Sequence, residues 1–267
     1  MNISCDLSIA ERSYFERVLD NLEAPDLKRM WALMDEAWIE CGCDPEIVDE
    51  RINKFYSHPV WLLNGLFIEQ HTESLKNRQE FSAYVARIKP RRIADFGGGY
   101  GTLSRMIGEC CPETEVHIVE PHPHNMAVSL TAKTKNVRFI PEFTGEYDIL
   151  VATDVFEHVL DPLLLAEHAA RHLRMGGQFV IANCFWPVIR CHLPSTFHFR
   201  WSWDKAMRAM NLLPGEKVAY GRAYEKVGPV SAAAARKIER RSKLFFPVIE
   251  GLPGRLRGPS ARLLILP

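Results

Sequence analysis

The sequence predicts a doubly wound α/β fold, a seven-stranded, mostly parallel sheet with helices on both faces, preceded by a helical extension. Three observations predict it. From residue 91 onward, five β-rich runs (RRIADF, EVHIVE, VRFIP, YDILVAT and GGQFVIAN) occur among helix-length segments. The first four are each followed by a helical or turn segment, the pattern of βαβ units. A glycine-rich turn follows the first run and opens a helix. Residues 8–88, by contrast, carry only helical periodicity.

Taken in order, the extension reads as helices from Ile9 to Leu22, Leu27 to Cys41, Pro45 to Phe55 and Leu75 to Ile88, with acidic and apolar positions mixed. The five strand runs follow. Beyond Asn183 comes an aromatic, histidine-containing stretch, CFWPVIRCHLPSTFHFRW, then a helix over 202–213 and a strand-like run, EKVAYGRAYEKV. A basic amphipathic helix over 231–250 precedes a last strand-like run, ARLLILP. The two final strands are therefore expected to be joined by a basic helical insertion at about 229–258 in place of a tight hairpin. The chain divides into 1–88, the helical extension, and 89–267, the core.

Composition narrows the partner. With 33 basic and 33 acidic residues the formal charge is zero, which gives no electrostatic footprint for nucleic acid and points to a small partner. Charge is uneven: residues 1–90 hold 10 Lys/Arg against 16 Asp/Glu, and 229–262 hold 8 against 2. Two solvated faces account for this, with contact to an anionic substrate or surface as the sharper reading. Cysteines 5, 41, 43, 110, 111, 184 and 191 show no CxxC pairing and fit reduced thiols. No window approaches the apolar length of a membrane span, and the first residues lack an apolar signal core. A soluble cytoplasmic protein without stable membrane insertion is expected, with a homodimer left open.

The chemistry is concentrated in IADFGGGYGTLSRMIG at 93–108. Glycines 97, 98, 99 and 101 permit positive φ and close backbone approach to a ligand, and the following helix start offers free N–H groups. A glycine turn alone also suits dinucleotides. Asp95, two positions before the first glycine, instead attracts the ammonium of an amino-acid moiety and repels a pyrophosphate. Glu120 ends EVHIVE, 25 residues later, where a carboxylate accepts both ribose hydroxyls.

At this point the chain resembles the class I S-adenosylmethionine methyltransferases, in their small-molecule, type 11/12-like branch. The likeness runs from about 91 to 183 through IADFGGGYG, HIVEPHP, EYDILVATDVFEHVLDP and HLRMGGQFVIAN. It implies the Rossmann-like sheet and S-adenosylmethionine as cofactor. It also implies that Asp95, Gly97, Gly98, Gly99, Tyr100 and Gly101 line the methionine part, Glu120 the ribose, and Pro121 and His122 the adenine. Glu142 or Phe143 falls at the adenine edge, and Asp154, Val155 and Phe156 close the pocket. HPVWLLNGLF and its neighbouring helices look like the substrate-covering extensions of sugar and small-metabolite methyltransferases, so residues 1–88 are expected to act as a lid.

For an oxygen acceptor a base must remove a proton, and His158, at the carboxyl end of the fourth strand, is the first candidate. His198 and His192, on the aromatic stretch, follow. A bracing hydrogen bond or simple exposure is the plain alternative for each. His122 and His124 lack a third ligand, so no metal is expected. The leading function is O-methylation of a metabolite or saccharide, ahead of N- or C-methylation of a small molecule. ATDVFEHV lacks the (D/N/S)PP(Y/F/W) signature of nucleic-acid amino methyltransferases. A non-catalytic cofactor-binding module and a nicotinamide oxidoreductase are the readings from other classes.

Overall fold

The computed structural model describes residues 7–19 and 24–265. Five helices come first: α1 (Ile9–Val18), α2 (Leu27–Glu40), α3 (Glu50–Tyr56), α4 (Val60–Ile68) and α5 (Thr72–Ile88). Local signals start several of them. Ser8 and Glu11 form a reciprocal capping box on α1, and the Asp26 side chain accepts the Arg29 N–H at the start of α2. The expected end of the first helix at Leu22 lies outside the described residues.

The core alternates as β1 (Arg92–Phe96), α6 (Thr102–Cys110), β2 (Glu115–Val119), α7 (Asn125–Thr131), β3 (Val137–Ile140), β4 (Tyr147–Thr153), α8 (Pro162–Arg171) and β5 (Leu173–Ala182). After a 3-10 stretch at Pro194–Trp201 come α9 (Trp203–Ala209), β6 (Leu212–Val218), β7 (Gly221–Lys226), α10 (Ala232–Gly251) and α11 (Gly254–Leu264). The seven strands are ordered β3-β2-β1-β4-β5-β7-β6, parallel except for β7, which runs antiparallel to β5 and β6. The predicted doubly wound, mostly parallel sheet is therefore present.

The last two strands differ from expectation. EKVAYGRAYEKV is not one strand; it holds the end of β6, a tight turn at Ala219-Tyr220, and β7. No NG or DG pair marks this turn, and Ala219 itself takes the positive φ of 49°. ARLLILP is not a strand where it is described: residues through Leu264 lie in α11. The Lys205 ammonium donates to the carbonyls of Ala261, Arg262 and Ile265, satisfying the end of that helix. The basic segment therefore follows the sheet and does not interrupt it.

Alternation along the strands builds two cores. Ala94, Leu150, Ala152, Phe179 and Ile181 face α8, α9 and α10, while Ile93, Ile118, Val151 and Val180 face α5 and α6. A third core joins α1–α4 to Tyr100, Met126, Cys191 and Leu193 of the sheet domain. The helical extension thus packs on the loops at the carboxyl ends of the strands, where doubly wound proteins bind ligands. Among the described residues, no helix is long and apolar enough to cross a membrane.

Candidate active site

The glycine turn after β1 is shaped by what a side chain would strike. Gly97, Gly99 and Gly101 have φ of 68°, 51° and 76°. A Cβ on Gly98 would lie 2.7 Å from the Asp95 carboxyl and 2.9 Å from Ile118, and one on Gly101 2.8 Å from Ile118. Asp95 is 1% exposed; Oδ2 accepts from the Ser104 hydroxyl at 2.8 Å, and Oδ1 has no partner. Burial pushes its carboxyl up to about 6, against the Ser104 hydrogen bond and the charge of Arg78. An orphaned carboxylate oxygen under a loop stripped of side chains fits a ligand carrying a cationic amine.

The extension clamps this loop from outside. A Cβ on Gly65 of α4 would lie 2.7 Å from the Tyr100 ring, and Glu69 at the end of α4 accepts from Thr102 and pairs with Arg105 of α6. Glu120 follows β2 with its Oε1 accepting the His122 N–H at 3.3 Å, and burial raises its pKa. Pro121, His122 and Glu142 are exposed nearby in sequence to the strand ends. Phe143 is buried, stacked on His172 with ring centres 4.8 Å apart and tilted against Phe96 at 5.1 Å. It therefore packs into the core. His124, considered for metal, instead caps α7 through Nδ1 and binds Glu11 through Nε2 at 2.7 Å.

Beyond β4 the chain bends at Asp154, whose φ is 55°, and Val155 lies where a Cβ on Gly97 would meet it at 2.9 Å. The segment after β4 thus lies against the glycine turn. Phe156 is fully buried among Phe179 and Trp203. Glu157 is also fully buried, with Oε1 accepting the Cys184 N–H at 2.8 Å and Oε2 lacking a donor. Asp154 is exposed to solvent, and its carboxyl accepts from the Tyr220 hydroxyl at 2.7 Å. Desolvation raises the pKa of both acids; the charge of Asp154 and its hydrogen bond raise Glu157 further, whereas the hydrogen bond from Glu157 lowers Asp154, so the proton between them rests on Glu157.

His158 and His192 meet beside this pair, ring centres 5.0 Å apart. His158 Nδ1 donates to the Cys191 carbonyl at 2.9 Å, and His192 Nδ1 to the Trp186 carbonyl at 2.8 Å. A carbonyl only accepts, so each ring keeps its lone pair on Nε2. Desolvation, then the neighbouring His192, lowers His158 to about 3, and desolvation lowers His192 as well. Both are neutral at ordinary pH, and His158 does not keep the near-neutral pKa expected of a free histidine base.

His198 does not join them. It is 3% exposed in the 3-10 stretch with neither ring nitrogen partnered. Burial lowers its pKa to about 4, and the charges that act on it are Lys243 and Glu239 of α10. Three side chains not singled out from sequence do join. Arg78 of α5 lowers the pKa of both Asp95 and Asp154, so its charge acts on both acids. Tyr220 arrives on the unforeseen hairpin. Tyr56 of α3 stacks on Trp61 at 5.1 Å, and burial, then the charges of Cys191 and Glu157, raise its pKa. None carried a local motif.

Residues 67–219 match a family described as methyltransferase domain. A ubiquinone biosynthesis O-methyltransferase of Chelativorans sp. (strain BNC1) is 24% identical over 170 residues, 61% of this chain and 62% of that protein. The chain thus spans less than two thirds of that relative's length. Among solved structures, an O-methyltransferase family protein from Burkholderia thailandensis superposes with a TM-score of 0.52 at 16% identity, covering 81% of this chain and 76% of that one. Human N-acetylserotonin methyltransferase gives 0.48 at 13% identity, covering 76% and 68%.

Proposed function

We propose, from the premise that this chain belongs to the methyltransferase-domain family and is an S-adenosylmethionine-dependent methyltransferase, that it methylates a hydroxyl oxygen of a small metabolite or saccharide. The bound cofactor supplies an electrophilic methyl on a sulfonium. In this reading Asp95, Gly97, Gly98, Gly99, Tyr100 and Gly101 hold its methionine part, with Arg78 facing the carboxylate. Glu120 takes the ribose, Pro121, His122 and Glu142 border the adenine, and Phe143 braces that wall from behind. Asp154 and Val155 close the pocket, Phe156 supports them from the core instead of lining it, and residues 1–88 cover the acceptor.

One observation carries the oxygen assignment: Glu157, His158 and His192 converge, with Asp154 hydrogen-bonded to Glu157, on the segment that lies against the glycine turn. A hydroxyl must lose its proton as the new bond forms, and an efficient acceptor of that proton has a pKa raised toward the working range. Asp154, raised by burial and hydrogen-bonded by Tyr220, meets this better than His158, which burial leaves a weak base. Asp154 therefore takes the proton, while the two neutral imidazoles stand beside it with Nε2 unprotonated. His198 stands apart from this role. The relative's name, an O-methyltransferase, agrees with the chemistry without identifying the acceptor.

The experiment is incubation with methyl-labelled cofactor and a panel of phenols, sugars, aliphatic alcohols and amines, with the products identified by mass spectrometry. The label is expected in an ether, and Asp154→Asn is expected to lower kcat about a hundredfold, well beyond any loss of cofactor affinity. Label on nitrogen or carbon, or a loss below about tenfold, overturns the reading.

A further inference from the structure

We propose that Glu157, His158 and His192 form a binding site for one divalent transition-metal ion. A carboxylate oxygen of Glu157 and one ring nitrogen from each histidine lie within 4.8 Å of one another, the one such group among the described residues. The donors come from two segments: Glu157 and His158 lie in the 3-10 turn after β4, and His192 lies in the loop after β5. Three features of the geometry favour an ion over a plain hydrogen-bond cluster.

Both imidazoles are anchored at the back. Nδ1 of each donates to a main-chain carbonyl, Cys191 for one and Trp186 for the other, which fixes the ring and leaves Nε2 as the lone-pair atom. That is the outer-shell arrangement that metal-ligating histidines use. Among the described residues nothing accepts from or donates to either Nε2. Glu157 is anchored too: the Cys184 N–H donates to Oε1, and the carboxyl faces that of Asp154 at hydrogen-bonding distance. Two carboxyls facing each other in a buried setting repel when both are charged, and a cation beside Glu157 offsets that repulsion.

The ring spacing also fits. Two imidazoles bound to neighbouring positions of one ion through bonds of about 2.1 Å place their centres roughly 5 Å apart at a wide angle. The observed centres are 5.0 Å apart with planes at 75°. Two nitrogens and one carboxylate suit zinc, cobalt or iron(II), whereas magnesium and calcium favour sets of oxygens. Three protein donors leave positions open toward the cleft, as sites that also bind substrate do. A role in holding an acceptor oxygen rests on the O-methylation reading above; binding of the ion does not.

The test uses the full chain, stripped with a chelator and free of cofactor and acceptor, so that failure here is separable from failure of the methylation reading. Zn²⁺ and Co²⁺ are titrated calorimetrically, and Co²⁺ binding is followed by ligand-field absorption. Cu²⁺ on the unmodified chain is examined by electron paramagnetic resonance, which counts bound imidazole nitrogens without any substitution. The expectation is one equivalent of metal, two nitrogens in the Cu²⁺ spectrum, and an affinity at least about tenfold weaker in His192→Gln with its circular dichroism unchanged. The proposal is overturned by absent stoichiometric binding, by thiolate absorption in the Co²⁺ form, by fewer than two nitrogens, or by full affinity in a folded His192→Gln.

Discussion

Replacing Asp95 with Asn is expected to make the protein more stable at neutral pH while weakening cofactor binding. The carboxyl is 1% exposed, has one hydrogen bond from Ser104, and is raised from 3.8 to about 6. A folded-state pKa above the unfolded value means that the folded chain binds the proton more tightly. Stability therefore falls as pH rises from the unfolded pKa through the folded one, and above about 6 the ionised group destabilises the fold in full. A shift of about two units corresponds to on the order of 3 kcal/mol. The Asn amide leaves its own buried group in place of Oδ1, which offsets about 1–2 kcal/mol. A net gain of about 1–2 kcal/mol at about pH 7.5 remains, shrinking toward zero or reversing near pH 4–5, where the native Asp is protonated. Urea unfolding of both proteins at the two pH values measures it, and calorimetry with S-adenosylmethionine is expected to show affinity reduced by at least about tenfold, or roughly 1.4 kcal/mol. A variant that is less stable at both pH values by the same amount would refute the reasoning, because the carboxyl would then be stabilising in its charged form.

Two further outcomes follow from the same cleft. Gly98→Ala places a Cβ 2.7 Å from the pinned Asp95 carboxyl and 2.9 Å from Ile118. Both neighbours are buried, so a loss of about 1–3 kcal/mol in thermal or urea unfolding is expected, with cofactor affinity falling in parallel; unchanged stability would mean that the turn yields freely. Glu120→Ala removes a carboxylate whose pKa burial raises, and is expected to leave the circular dichroism spectrum intact while weakening cofactor binding by about 1.5–3 kcal/mol in calorimetry. An unaltered affinity in a folded variant removes Glu120 from the cofactor site.

Much of this protein is determined by the sequence alone because its signals are local. The β1 run, the glycine turn and the helix start at Thr102 occupy adjacent positions, and the positive φ of Gly97, Gly99 and Gly101 follows from glycine's missing Cβ. The alternation of apolar runs with helical segments likewise determines a parallel, doubly wound sheet before any contact is known. Tertiary structure decides what depends on partners distant in the chain. ARLLILP has strand composition, but docking against Lys205 and the 3-10 stretch makes its described part helical. Tyr220 reaches Asp154 only because β7 pairs antiparallel with β5 and turns at Ala219, which no turn-forming pair announces. His158 and His198 look alike in sequence as loop histidines near strand ends. Packing alone sets one beside His192 and Glu157, and the other against α10. Desolvation, which lowers the pKa of both, is a property of everything that surrounds a side chain, so the identity of its sequence neighbours does not contain it.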